Sequence, residues 1–176
     1  MAAAQPQSAA GAAATMYVSP KAITEMAKHK IHVGHGCVLH PYCKIAATNG
    51  PIILGEYCIF GEYSCIENVL PPDAKGKEQT LVIGNYNVFE PHSVFRGVKI
   101  GDGNRIDALA SVGVMSTVGS GCVLQPRTRV THDTLVPDCT VVYGENSVWA
   151  TRERDEKEEQ QQVLNVTRWC RKYLPK

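Results

Sequence analysis

Val118-Gly119-Ser120-Gly121-Cys122-Val123, Leu124-Gln125-Pro126-Arg127-Thr128-Arg129, Val130-Thr131-His132-Asp133-Thr134-Leu135: through this stretch an aliphatic side chain opens every block of six. An α-helix repeats every 3.6 residues and cannot keep a period of six on one face, and simple strand alternation has a period of two. A triangular coil of three short strands, about 18 residues per turn, does fit.

Moving outward from that stretch, the coils stack into three columns. The first holds Val33, Leu54, Ile83, Ile100, Val118 and Val136; the second Leu39, Phe60, Phe89, Ile106, Leu124 and Val142; the third Ile45, Ile66, Phe95, Val112, Val130 and Val148. Every member is large and apolar. The spacing departs from six only between the third column and the next coil's first, at Ile45 to Leu54, Ile66 to Ile83 and Phe95 to Ile100. All insertions therefore leave from one corner of a prism, as repeat insertions do, whereas a chance pattern would scatter them. The sequence predicts an all-β parallel β-helix of hexapeptide repeats with about six triangular coils. Coils about 4.8 Å apart would make it roughly 30 Å long.

Gly34, Gly55, Gly84, Gly101 and Gly119 follow the first-column residues, with Pro137 in the last coil. The expectation is that glycine serves there to turn the chain through an unusual backbone conformation. Three positions further on come Cys37, Cys58, Asn87, Asn104, Cys122 and Thr140, small enough for the interior. Asn87 over Asn104 is expected to form a hydrogen-bonded ladder.

Three segments flank or interrupt the repeat. Residues 1–15, mostly Ala with Gln, Ser and Gly, are expected to form a disordered tail, for want of bulky side chains to bury. The β-helix is expected over residues 16–150, with residues 67–80 as a solvated corner loop containing Pro71-Pro72-Asp73 and Lys75-Gly76-Lys77. Residues 151–176 then form a C-terminal amphipathic α-helix, with Val163, Val166, Trp169, Cys170, Tyr173 and Leu174 at helical spacing and Pro175 as its stop. The helix is expected to pack on the prism, leaving Trp169 and Tyr173 the alternative role of exposed partner anchors.

Composition narrows the function. Lys and Arg total 18 against 17 Asp and Glu, which argues against nucleic acid or an anionic membrane surface as the main partner. No apolar run approaches the ~20 residues that span a bilayer, and the N-terminus lacks the pattern of an export signal. The seven cysteines, odd in number and never spaced as CxxC, point to reduced thiols, mostly small core fillers, and not to a zinc site.

Hexapeptide β-helices include acyltransferases with a catalytic His and gamma-class carbonic anhydrases with three His on zinc. Here His35, His40, His92 and His132 point outward at turn positions, and His40 and His92 lie two coils apart, near 10 Å, too far to share a metal directly. The zinc-binding stretch of those anhydrases corresponds to Val112–Cys122, which holds no His. Their upstream Arg-Gly-Asp reads Arg96-Gly97-Val98 here. Asp73 with Glu67, and Asp107 with Asp102, read as surface charges before they read as acid–base pairs. We therefore assign no catalytic, cofactor-binding or metal-ligating residue, and expect a protein that is not an enzyme. A trimeric hexapeptide-repeat enzyme, a gamma-type carbonic anhydrase or an acyltransferase, is the alternative.

Asn49–Gly55, Ile83–Glu90 (with Asn87-Val88-Phe89-Glu90), Lys99–Asn104, Ser120–Cys122 and Val136–Gly144 are together similar to the dynactin subunit 6 family. So are the Pro-containing insertion before Leu81 and the Leu174-Pro175 that ends the helix. The resemblance covers residues 31 to 176; the Ala-rich tail departs from it, and a longer C-terminal tail found in some relatives is not carried over. It implies a left-handed β-helix and a non-catalytic subunit of the dynactin pointed end. The implied partners are dynactin subunit 5, the pointed-end actin-related protein and the large zinc-bearing subunit, and indirectly dynein. Implied too are a role in dynein-driven microtubule transport and cargo adaptor engagement, and a place in the cytoplasm and cytoskeleton, extending to centrosome and kinetochore. Open strand edges at the ends of a β-helix suit stacking on a second one.

Overall fold

The computed structural model describes residues 16–25, 29–71 and 78–174. The expected tail over residues 1–15, the centre of the corner loop and the stop at Pro175 lie outside them.

Short strands stack in parallel into three faces. The first face runs from Ile31–Val33 through Ile52–Leu54, Leu81–Ile83, Lys99–Ile100 and Thr117–Val118 to Leu135–Val136. Its register pairs Val33, Leu54, Ile83, Ile100, Val118 and Val136 in sequence. The second face pairs Leu39, Phe60, Phe89, Ile106, Leu124 and Val142. The third pairs Ile45, Ile66, Phe95, Val112 and Val130. All but the partly covered Val33 are buried. Each coil thus contributes three large side chains to one axial core, and Phe60 stacks on Phe89 with centroids 5.2 Å apart.

The last coil differs from expectation. Val148 does not close the third face. Gly144 and Ser147 adopt positive φ, and the chain doubles back. Strand Val148–Thr151 then lies antiparallel to Thr140–Tyr143, with Val148 opposite Tyr143 and its side chain 48% exposed. Six residues separate Val142 from Val148 either way, so the spacing imitates a coil. The solenoid therefore has five complete coils. A partial coil stands at each end, the first made by Tyr17–Val18 and Ile23–Glu25 stacked on the second and third faces.

The glycines after the first column also serve a different purpose. Positive φ falls two residues later, three past the apolar column: Tyr57, Tyr86, Gly103, Gly121 and Cys139 at this corner, and Tyr42, Tyr63, His92, Leu109 and Arg127 at the next. The glycine ladder instead answers close backbone approach. A Cβ on Gly84 would sit 2.6 Å from the Gly101 carbonyl oxygen of the next coil, and one on Gly34 would collide with that of Gly55. Beside this ladder the small residues reach the carbonyls it leaves bare. Cys37 Sγ donates to Gly55 O at 3.1 Å, Cys58 Sγ to Gly84 O at 3.1 Å, and Asn87 Nδ2 to Gly101 O at 2.9 Å.

The chain then forms helix α1, Glu156–Tyr173. Asp155 caps it by accepting the Glu158 N–H at 3.1 Å, and Glu156, Glu158 and Glu159 fill its positive first turn. Cys170, Val163 and Leu174 pack on Tyr17, Val38, Ile59 and Val88, the outward side chains of the second face.

Candidate interaction surface

Each histidine singled out in the sequence has a structural partner or a solvated place. His92 stacks on Tyr63 at 5.0 Å, and Tyr63 stacks on Tyr42, making an aromatic ladder along one corner. His35 meets the Tyr57 ring edge-on. His40 is half-covered by α1, its Nε2 4.0 Å from Cys170 Sγ. Burial there pushes its pKa down against the pull of the Glu62 and Glu90 carboxylates. His132 is exposed. His40 and His92 thus occupy different surroundings.

The carboxylates are likewise engaged. Asp107 is paired with Arg105 at 2.7 Å, and Asp102 accepts the Asn85 N–H at 2.6 Å. Burial opposes ionisation of Glu67, but Arg96 at 2.8 Å and Lys44 at 3.4 Å outweigh it and hold its carboxyl below the usual value. Asp73 lies outside the described residues. Five of the seven cysteines are buried, and all seven are free thiols. Burial pushes Cys43 up to about 12 and Cys65 to about 11, so neither supplies a thiolate near neutral pH. Among the described residues no group of three or more His, Cys, Asp or Glu could hold a metal ion, and no helix is long and apolar enough to cross a membrane.

Seven of the fourteen exposed large apolar side chains among the described residues lie in two places. The first is one flank of α1. The helix carries two apolar stripes, and only Val163–Cys170–Leu174 is used against the prism. Val166, Trp169 and Tyr173 form the other; Trp169 is 57% and Tyr173 59% exposed, with rings 5.6 Å apart. Lys172 Nζ lies over the Tyr173 ring at 4.9 Å. Packing on the prism and exposure of the two aromatics, set as alternatives by the sequence, coexist because they lie on adjacent stripes about a quarter-turn apart.

The second place is the C-terminal end of the solenoid. Among the described residues, Arg129–Val130 and Leu135–Val136 are the last strands of the third and first faces. One edge group is satisfied locally, the Arg129 N–H donating to Ser147 Oγ at 2.8 Å. The second face instead gains the antiparallel strand Val148–Thr151, which among the described residues is the outermost strand of its sheet. Leu135, 69% exposed, and Trp149, Val148 and Tyr143 surround this end. The hairpin that exposes Trp149 had no sequence signal beyond Gly144, because the six-residue spacing continued through it.

No family model matches the chain. It is 36% identical over 121 residues to dynactin subunit 6 of Xenopus tropicalis, covering 66% of this chain and 60% of that protein. It is 35% identical over 123 residues to dynactin subunit 6 of Nematostella vectensis, covering 68% and 67%, and 31% identical over 126 residues to that of Caenorhabditis elegans, covering 68% and 63%. The match thus spans three fifths to two thirds of these relatives' own lengths. Among solved structures, a hexapeptide transferase family protein from Anaplasma phagocytophilum superposes with a TM-score of 0.68 at 15% identity, covering 90% of this chain and 93% of that one. The acetyltransferase domain of PglB from Neisseria gonorrhoeae gives 0.50 at 16%, covering 76% and 56%. At such identities the likeness is one of fold.

Proposed function

From the premise that this chain belongs to the dynactin subunit 6 family, we propose that it is a structural, non-catalytic subunit of a dynactin complex, placed at its pointed end. The observation that carries this reading is the sequence identity of 31–36% to dynactin subunit 6 in three animals. The partners are a second β-helical subunit of the dynactin subunit 5 kind, an actin-related protein and a large zinc-bearing subunit, with dynein engaged indirectly. In that setting the protein supports dynein-driven microtubule transport and cargo adaptor engagement. It resides in the cytoplasm and on the cytoskeleton, including centrosome and kinetochore.

The C-terminal end suits the first of these partners. Two faces end there in strands that no further described strand covers, and a second solenoid, with the same spacing between coils, pairs with such edges directly. Leu135 and Trp149 beside them supply apolar area for the rim of the contact. Co-expression with the other β-helical subunit tests this. The double variant Leu135→Asp/Trp149→Asp loses the partner while keeping its own melting temperature. Retention of the partner by that variant would refute the placement.

The fold of the transferases keeps the enzyme reading in view. Under that reading His92 acts as a base, and His92→Ala abolishes acyl transfer or hydration. The stacking of His92 on Tyr63 supports a surface role instead, for which the same substitution leaves only a small change in stability.

A further inference from the structure

Helix α1 docks on the prism from Val163 onward. Its buried residues are Thr167 and Cys170, both in the second half. Near its start it is tethered by Glu159, which pairs with Arg152 and, at 3.1 Å, with Arg154. Between tether and docked half the helix leaves a cleft of about 610 Å³ over the second face, within the range of pockets that bind small molecules or a few residues.

The walls and charges of the cleft are specific. Val88 and Val123 line the prism side, Val163 and Val166 the helix side. The two arginines at the cleft are already engaged, Arg105 by Asp107 at 2.7 Å and Arg152 by Glu159, which it shares with Arg154. Glu62 and Glu90 also line it, and among the described residues neither carboxylate has an ion-pair or hydrogen-bond partner; both face His40, which burial keeps from charging readily. The end of the cleft beside Glu62 and Glu90 is therefore negative. The lining also crosses the whole face, from Tyr86 and Gly103 at one corner to Glu62 and Pro91 at the other. A lining that runs from corner to corner suits an extended chain better than a compact molecule. The Gln160 and Gln162 side chains, whose amide nitrogens are turned to Glu156 and Glu158, keep amide oxygens able to accept backbone N–H groups.

We propose that this cleft is a docking groove for an extended segment of a partner protein in which one Lys or Arg is flanked by aliphatic residues. The cation meets Glu62 and Glu90, and the aliphatic side chains lie between the two pairs of valines. The assignment does not depend on the assembly role proposed above.

The test uses the full chain and the capped peptide acetyl-Leu-Arg-Val-Leu-amide, followed by backbone amide NMR and calorimetry. The expected result is saturable binding that shifts the amides of Gly61, Glu62, Glu90 and Val163. Binding weakens at least tenfold in Glu62→Gln/Glu90→Gln and is unchanged in Glu145→Gln, a control in the remote hairpin turn. Both test positions are at a corner and outside the core, and circular dichroism checks that the variant stays folded. Equal binding of acetyl-Leu-Glu-Val-Leu-amide, shifts confined to other surfaces, or no binding at millimolar peptide would overturn the proposal. Octylguanidinium binding as tightly as the peptide would also overturn it, by marking a site for a small amphipathic cation.

Discussion

The side-chain amide of Asn104 donates to the amide oxygen of Asn87, one coil away, at 2.9 Å, with both side chains closed to solvent. The same oxygen accepts the Asn104 backbone N–H at 2.9 Å, and Asn104 Oδ1 accepts the Cys122 N–H at 2.7 Å. Asn87 is thus the node of a buried polar ladder beside the apolar columns. Asn87→Ala strips the Asn104 backbone N–H, the Asn104 side-chain amide and Gly101 O of these partners at once. With about 1–3 kcal/mol for each buried group left unsatisfied, we expect a loss of about 3 kcal/mol. Asn87→Cys restores the bond to Gly101 O in the manner of Cys58 and should cost about half as much. Urea unfolding followed by circular dichroism measures both.

Gly84 and Gly144 separate two reasons for glycine. A Cβ on Gly84 meets the next coil at 2.6 Å, although its φ is not positive, whereas Gly144 has φ +72° and open space around it. Gly84→Ala should cost about 3 kcal/mol through overpacking, and Gly144→Ala about 1–2 kcal/mol through backbone strain. Gly144→Asn should be nearly silent, while Gly84→Asn should be at least as harmful as Ala. Thermal melts of the four variants decide it.

These cases show where the sequence was legible. The columns could be read because each interior position demands one large side chain, and that demand repeats in every coil from Leu39 to Val142. The corner of insertion could be read because only there does the spacing drift. Val148 misled because a hairpin between Tyr143 and Val148 spans the same distance as a corner. The glycine ladder was seen, but its cause was not, since close approach between coils is a property of the stack and not of the local chain. Tyr17 and Ile23 open a partial coil that two short strands could not announce. The cleft under α1 had no sequence signal, because it depends on which half of the helix docks.

The thiol of Cys43 titrates in a way that stability should report. It is fully buried, and burial pushes its pKa to about 12, above the ordinary value of 9.0. Below pH 9 folded and unfolded states both hold the proton. Between pH 9 and about 12 the unfolded state loses it first and binds fewer protons, so stability falls as pH rises. The slope from this one group is about 1.4 kcal/mol per pH unit at most. Cys43→Ala should be flatter than the parent between pH 9 and 11 and parallel to it below. Parallel curves throughout would refute the burial of this thiol.

Glu159 ties the start of α1 to Arg152 and Arg154. Glu159→Ala leaves Arg154, whose Nη2 is already buried without a partner, with still less compensation. Hydrogen exchange should quicken over residues 156–163 and stay slow at 167–173, where Thr167 and Cys170 hold the helix on the prism. Uniform acceleration along the helix would mean that it docks and frees as one unit.

The most direct measurement is affinity purification of the tagged full chain from its own cells at moderate salt, with every co-purifying chain identified by mass. The account predicts a second β-helical subunit recovered together with actin-related proteins. Recovery of the tagged chain alone, as a homotrimer carrying bound zinc, would contradict it.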